Sequence, residues 1–256
     1  MLLAVDIGNT NIVVGGYEGK GIKFLESIAT NTKKTDLEYL VDLLALCEIY
    51  DIKKSDFDGA IISSVVPPLN KAIKSAIYKF AGLDAIIIGP GIKTGLNIHM
   101  DDPASVGSDL IADSVAGLEK YGAPLVIIDL GTATTISVID DKKCYIGGAI
   151  LPGAGASLSA LVDKTSQLPD ISIESPSRVI GKNTVEGMKS GIIMGQAAAL
   201  DGMIDRIWNE LGYETKVIAT GGVASSIIPN CTKDIVMDNT LVLDGLRLIY
   251  EKNKKN

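Results

Sequence analysis

The stretch Leu3–Gly16, LAVDIGNTNIVVGG, decides the fold. Leu3, Ala4 and Val5 form an apolar run and Asp6 follows. After Ile7 come Gly8, Asn9, Thr10 and Asn11, then a second apolar run from Ile12 to Val14. Strand, polar turn, strand predicts a hairpin with the polar residues at its tip. Gly8 has no Cβ, so backbone N–H groups around it can approach an anion closely. Asn9, Thr10 and Asn11 add short side chains that hydrogen-bond phosphate oxygens. Asp6, at the end of a buried strand, can hold Mg²⁺ directly or through water, because magnesium takes oxygen ligands. The competing reading is an ordinary hairpin turn in which Asn and Gly serve the turn alone.

A second stretch repeats the pattern. Leu125–Ile139, LVIIDLGTATTISVI, runs from a buried strand through Asp129, Leu130, Gly131 and Thr132 into another apolar strand. Asp129 lies about half a chain length after Asp6 in 256 residues. Two half-chains that each open on strand, Asp, x, Gly, polar turn and strand indicate a duplicated fold. Two such turns facing each other across a cleft would grip a nucleotide triphosphate from both sides. The pattern resembles the actin-like and hexokinase-like ATPase superfamily. That resemblance implies an α/β chain of two duplicated ribonuclease H-like lobes with a nucleotide cleft between them. Residues 1–117 would carry the first phosphate turn, and residues 118–256 the second together with an adenosine turn.

Composition narrows the partners. A chain of 256 residues with 46% hydrophobic and 21% charged residues can bury a substantial core. A net charge of −7 and a pI near 4.8 argue against nucleic acid or an anionic membrane as the main partner. An anionic nucleotide would then depend on local backbone donors and a metal. Cys47, Cys144 and Cys231 are far apart and lack metal-ligand spacing, so they read as reduced structural thiols. No export signal is visible at the N-terminus, and no apolar run approaches the roughly 20 residues of a membrane span. A cytoplasmic protein is expected.

The rest of the chain alternates strands with helices, which predicts α/β layers. Asp36 is a candidate N-cap for a helix presenting Leu37, Leu40, Val41, Leu44 and Ala45 on one face. Asp58–Val66 reads as a buried strand, and Pro67 and Pro68 open a helix towards Ala81. His99 is the sole histidine and receives no role. In Val106–Asp109, VGSD, Asp109 precedes a helix and reads either as its cap or as a general base that accepts the proton of an attacking hydroxyl. A long helix starts at Asn183 or Thr184, and Thr184 reads either as its cap or as a hydroxyl shown to substrate. Gly191, Gly195, Ala198 and Gly202 form a small-residue stripe on that helix, suited to close packing within the chain or against a second copy. Gly221–Gly222 follows a strand at Lys216–Ala219 and reads as a tight turn or as a bare shelf for a base. A last helix over Leu241–Tyr250 ends in a basic tail, Lys252–Asn256.

Seven short pieces, in order along the chain, are similar to the type III pantothenate kinases. They are DIGNTN at Asp6–Asn11, TGL at Thr94–Leu96, VGSD at Val106–Asp109 and DLGTATT at Asp129–Thr135, followed by GGAILPG at Gly147–Gly153, IGKNT at Ile180–Thr184 and TGG at Thr220–Gly222. The resemblance implies ATP-dependent phosphorylation of pantothenate, the first step of coenzyme A synthesis, by a homodimer. It implies ATP contacts from Asp6, Ile7, Gly8, Asn9, Thr10, Asn11, Ile12 and Val13, and from Thr132, Gly221 and Gly222. It implies Asp109 as proton acceptor, and a substrate site that includes Met100, Gly107, Ser108, Asp109, Leu110 and Thr184. A monovalent cation, K⁺ or NH4⁺, would sit at Asp129, and Mg²⁺ would be held at Asp6 through water or phosphate.

Two positions depart from the family pattern. Leu110 stands where an arginine usually follows the aspartate, and Met100 stands where a tyrosine lines the pantothenate site. The first change removes a bidentate cation suited to a carboxylate, the second a hydroxyl and a ring face. Both fall on the acceptor side. Two alternatives follow: a kinase of this fold for a different small hydroxyl substrate, and a nucleotide-binding regulator without turnover.

Overall fold

Residues 2–29 form a three-stranded meander. Leu2–Ile7 (β1) pairs antiparallel with Asn11–Glu18 (β2), which pairs antiparallel with Gly21–Ala29 (β3). The structure, a computed structural model, describes residues 1–254. β1 is buried on both faces, with Leu3, Val5 and Ile7 in one apolar cluster and Leu2 and Ala4 in another. Each fully buried leucine, isoleucine or valine side chain contributes about 1.5–3 kcal/mol.

Asp36–Ile49 (α1) starts one residue earlier than the sequence suggests. Thr35 is the cap: its hydroxyl accepts the Glu38 N–H, and the Glu38 carboxylate accepts the Thr35 N–H at 2.7 Å. Its buried face is Tyr39, Leu43, Leu46 and Cys47, while Leu37, Val41, Leu44 and Ala45 are exposed. Apolar residues recur on more than one side of the helix, so spacing alone offers two faces. Tyr39 chooses between them: its ring buries more area than a leucine, and its hydroxyl reaches the Asn31 carbonyl at 2.8 Å.

Gly59–Ser64 (β4) lies parallel to β1, with Asp6 opposite Ser63. Pro67–Ala81 (α2) ends at left-handed Gly82, and Ile86–Ile87 (β5) completes the order β3-β2-β1-β4-β5. This sheet belongs to a first compact unit made of residues 1–96, 102–116 and those from 241 onward. Residues 97–101 and 117–240 form a second.

The second unit begins with Asn97–Ile98 (β6), a short strand that lacks any periodicity to announce it. Ser108–Tyr121 (α3) contributes its first residues to the first unit and its last turn to the second. Leu125–Leu130 (β7), Ala133–Ile139 (β8) and Cys144–Pro152 (β9) form a second meander. Ala154–Lys164 (α4) and the 28-residue Thr184–Leu211 (α5) pack on it through Leu158, Ile192, Ile193, Leu200 and Ile204. Lys216–Thr220 (β10) runs parallel to β7, followed by Ala224–Ile227 (α6) and Val236–Met237 (β11). The order is β11-β10-β7-β8-β9-β6. Without β6 it is the order of the first sheet, strand for strand, which bears out the duplication.

Leu241–Asn253 (α7) packs in the first unit, where Leu243, Leu246 and Ile249 cluster with Leu2, Ala4 and Ile61. The compact units are therefore discontinuous and differ from a single cut after residue 117, because the apolar stripe of α7 fits the face of β1 and β4. Of the expected basic tail, Lys252 and Asn253 are helical, and residues 255–256 lie outside the described residues. Among the described residues no helix is long and apolar enough to cross a membrane.

Candidate active site

In the first unit, Asp6 is half-buried at the end of β1, and the chain turns over four residues between the pairs Ile7–Ile12. The Gly8 N–H donates to the Asn11 carbonyl at 3.0 Å, and a Cβ on Gly8 would stand 2.9 Å from that oxygen. Thr30, just past β3, braces the turn. Its hydroxyl donates to the Gly8 carbonyl at 2.6 Å and its N–H to the Thr10 carbonyl at 2.9 Å. Asn9, Thr10 and Asn11 are exposed, whereas Ile7 and Ile12 are buried in the core. Ile7 and Ile12 can therefore offer a nucleotide main-chain atoms alone, and the Ile7 carbonyl is already taken by the Val65 N–H at 3.0 Å.

Asp109 is the second residue of α3 and is not its cap. Gly107 precedes the helix, and its carbonyl accepts the Ile111 N–H at 3.0 Å. The Asp109 carboxylate accepts the neighbouring Leu110 N–H at 2.8 Å and lies where a side chain on Gly107 would be. Burial pushes its pKa above the ordinary carboxylate value, and the backbone N–H partly offsets this. The result is a fixed carboxylate with raised proton affinity, a property that suits a general base. Ser108 turns its hydroxyl to the end of β4, accepting the Ser64 N–H at 2.9 Å. Leu110 is half-buried.

In the second unit, Asp129 is half-buried at the end of β7, in register with Thr135 on β8 and Thr220 on β10. The turn here has three residues, closed by the Gly131 N–H to the Ala133 carbonyl at 3.1 Å, with Thr132 exposed at its tip. Its brace is bare backbone: a Cβ on Gly153 would run into the carbonyls of Gly131 and Thr132. Gly221 adopts φ +99°, and a Cβ there would lie 2.5 Å from Asp129 Oδ1. Its glycine is thus explained by the tight approach to Asp129. Gly222 is exposed with open space around it, so no packing demand accounts for it.

Thr184 is the first residue of α5, but Asn183 caps the helix by accepting the Glu186 N–H at 2.9 Å. The Thr184 side chain is exposed. Met100 is half-buried, its sulfur 3.6 Å from the place of a Cβ on Gly147. The structure thus gathers Asp6, residues 8–11 and Asp109 in one unit, and Asp129, Thr132, Gly221, Gly222, Met100 and Thr184 in the other. Thr30 and Ser63 escaped the sequence reading, since a threonine after a strand and a serine within one look routine, and Gly153 entered it only as the end of GGAILPG.

Among the described residues no three His, Cys, Asp or Glu side chains converge on a metal position. The chain therefore offers a cation single carboxylates. Asp6 suits an Mg²⁺ that keeps phosphate and water ligands. At Asp129 a second oxygen stands close by in the sheet, the buried Thr135 Oγ1, which lacks a hydrogen-bond partner. That oxygen-only set suits a monovalent cation.

The family model of type III pantothenate kinases matches residues 2–206. Curated proteins named type III pantothenate kinase are similar along almost the whole chain. One from a Geobacillus species is 45% identical over 253 residues, covering 99% of this chain and 98% of its own. One from Brevibacillus brevis is 45% identical over 254 residues, covering 99% and 100%. Among solved structures, the ADPNP-bound activator of the 2-hydroxyisocaproyl-CoA dehydratase from Clostridium difficile superposes with a TM-score of 0.58 at 15% identity, covering 100% of this chain and 98% of that one. That likeness speaks for the fold alone. The sequence matches speak for the family, and by them the chain belongs to the type III pantothenate kinases.

Proposed function

We propose that this chain transfers the γ-phosphoryl group of ATP to the primary hydroxyl of pantothenate, the first step of coenzyme A synthesis. The observation that carries the reading is the state of Asp109, a positioned carboxylate whose proton affinity burial has raised. It takes the proton of the attacking hydroxyl. The amides and side chains of residues 8–11 and the Thr132 hydroxyl bind phosphate oxygens, and Gly221–Gly222 takes the adenosine. Such a reaction needs charge stabilisation and alignment more than covalent help. Mg²⁺ at Asp6 would neutralise phosphate charge, and K⁺ or NH4⁺ at Asp129 would add fixed positive charge. Gly107, Leu110, Met100 and Thr184 are acceptor-site residues that the family resemblance implies.

Leu110 and Met100 favour a second reading, in which the acceptor is a different small alcohol. Neither side chain offers the cation or phenol suited to pantothenate. An assay coupled to ADP release decides between them. Pantothenate-dependent turnover supports the first reading, and turnover with another alcohol alone supports the second.

A homodimer is part of the proposal. Gly187, Gly191 and Gly195 recur along α5 with nothing within 4 Å of where a Cβ would stand, so packing inside the chain does not explain them. Val179, Ile180 and Val185 beside the start of α5 are exposed apolar residues. Such a bare helix face suits a second copy. Gly191→Glu is expected to give monomers by sedimentation velocity; an unchanged dimer would place the interface elsewhere. A cytoplasmic setting, where thiols stay reduced, agrees with three cysteines in the free state.

A further inference from the structure

Ser108 at the start of α3, a residue the family resemblance puts in the substrate site, pairs its hydroxyl with that of Ser63 on β4 in the first unit. Ser63 is fully buried. It stands in register with Asp6 on the neighbouring strand, so both side chains leave the sheet on the same face, one strand spacing apart. Ser108 Oγ lies 2.9 Å from Ser63 Oγ, accepts the Ser64 N–H at 2.9 Å and stands 3.2 Å from the Ser64 carbonyl. A single proton arrangement satisfies all three. Ser63 and the Ser64 amide donate to Ser108 Oγ, and Ser108 donates to the Ser64 carbonyl.

Farther along the helix, Ala112 and Val115 add apolar contacts. Apolar packing fixes how far a helix stands from a sheet but resists sliding weakly, because it has no direction. Hydrogen bonds supply the direction. Asp109 follows Ser108 immediately and is locked to its own helix by the Leu110 amide. Wherever Ser108 anchors the helix start, the Asp109 carboxylate goes with it. The anchor is the end of β4, whose partner strand ends at Asp6 and the turn 8–11.

We propose that Ser63 and Ser108 are positioning residues, which set the Asp109 carboxylate against the phosphate turn, and that the Ser108 hydroxyl touches β4 instead of substrate. The proposal rests on Asp109 being the base. A misplacement of about 1 Å can cost up to roughly 100-fold in rate. Ser63→Ala and Ser108→Ala are each expected to lower kcat about 10-fold while the KM values for ATP and pantothenate stay within about 2-fold. The double variant should be no slower than the slower single, because both remove one link. Ser108→Thr, which keeps the hydroxyl, should recover most of the loss. Ser63→Thr keeps the hydroxyl donor, and it should show a smaller loss in kcat than Ser63→Ala even if the alanine variants fold poorly.

Unchanged kcat in the well-folded variants would overturn the proposal. So would a raised KM for pantothenate in Ser108→Ala with Ser63→Ala silent, which would make Ser108 a substrate contact. A kcat that falls only in step with the unfolded fraction would overturn it too. Asp109→Asn, run alongside, separates the two levels. Wild-type turnover in that variant would remove the base assignment, and the positioning claim with it.

Discussion

The two units build the same acidic turn and finish it differently. Each sheet sends a central strand to an aspartate, Asp6 or Asp129, and closes a turn after a glycine. Each then ties the last strand carbonyl to the segment after the parallel neighbour: the Val65 N–H to Ile7 at 3.0 Å, and the Val223 N–H to Leu130 at 3.4 Å. The neighbours of the aspartates differ. Beside Asp6 stands Ser63, whose hydroxyl holds the helix that carries Asp109. Beside Asp129 the same register position is Thr220, and the next residue, Gly221, lies against the Asp129 carboxylate with no side chain. The first copy ties its serine to a helix that carries a second carboxylate, which suits chemistry on a hydroxyl acceptor. The second brings bare backbone against its turn at Gly153 and Gly221, which suits close backbone contact with a nucleotide.

The largest effect that can break this contrast is at Asp109. Asp109→Asn is expected to lower kcat about 100-fold or more while leaving ATP affinity unchanged, measured by turnover and by calorimetric titration with ATP. Stability should move the other way. Burial raises the folded pKa of Asp109 above its unfolded value, so its stabilising contribution is present in full below the unfolded pKa and is lost as pH rises through the folded pKa. At neutral pH the ionised carboxylate is a cost. Asp109→Asn should therefore keep or raise Tm at pH 7, and a clear fall in Tm would mean that the residue is structural.

The counterpart at Asp129 is Gly221→Ala. It forces a methyl to 2.5 Å from Asp129 Oδ1 at φ +99°, so about 1–3 kcal/mol of stability and roughly 10-fold in ATP affinity should go. Gly222→Ala meets no atom within 4 Å. Its Tm should be unchanged, and any loss of ATP affinity would then report the nucleotide itself. Wild-type ATP affinity in both variants would dissolve the assignment of this turn.

The turn braces give a smaller effect. Thr30→Val removes the hydroxyl that donates to the Gly8 carbonyl and should cost about 1 kcal/mol in chemical denaturation, with a few-fold rise in KM for ATP. No change in that KM would show that the first turn keeps its shape without Thr30. The pH profile sharpens the comparison further. The acid limb of kcat should fall above the ordinary carboxylate range, set by the raised pKa of Asp109. A limb at the ordinary value would exclude Asp109 as the titrating group.

Much of this was legible in the sequence because it is written as local pattern. The two strand–Asp–x–Gly stretches announce the duplication, and the strand orders repeat accordingly. Pro67, Pro68 and the start of α5 stand where helix-start chemistry puts them. What stayed hidden depends on contacts between distant residues. The buried face of α1 follows from Tyr39 reaching Asn31, and leucines on more than one side of the helix give no such hint. The return of α7 to the first unit depends on Gly245 meeting the backbone of Ala112. Likewise, the caps at Gly107 and Asn183, which free Asp109 and Thr184 for other work, appear only when the hydrogen bonds are traced.

The most direct test follows the phosphoryl group itself. Purified protein with γ-labelled ATP, Mg²⁺, K⁺ and pantothenate should place the label on pantothenate, identified as 4′-phosphopantothenate by mass spectrometry. Label released only as inorganic phosphate, or carried only by a different alcohol offered in the same mixture, would contradict the account.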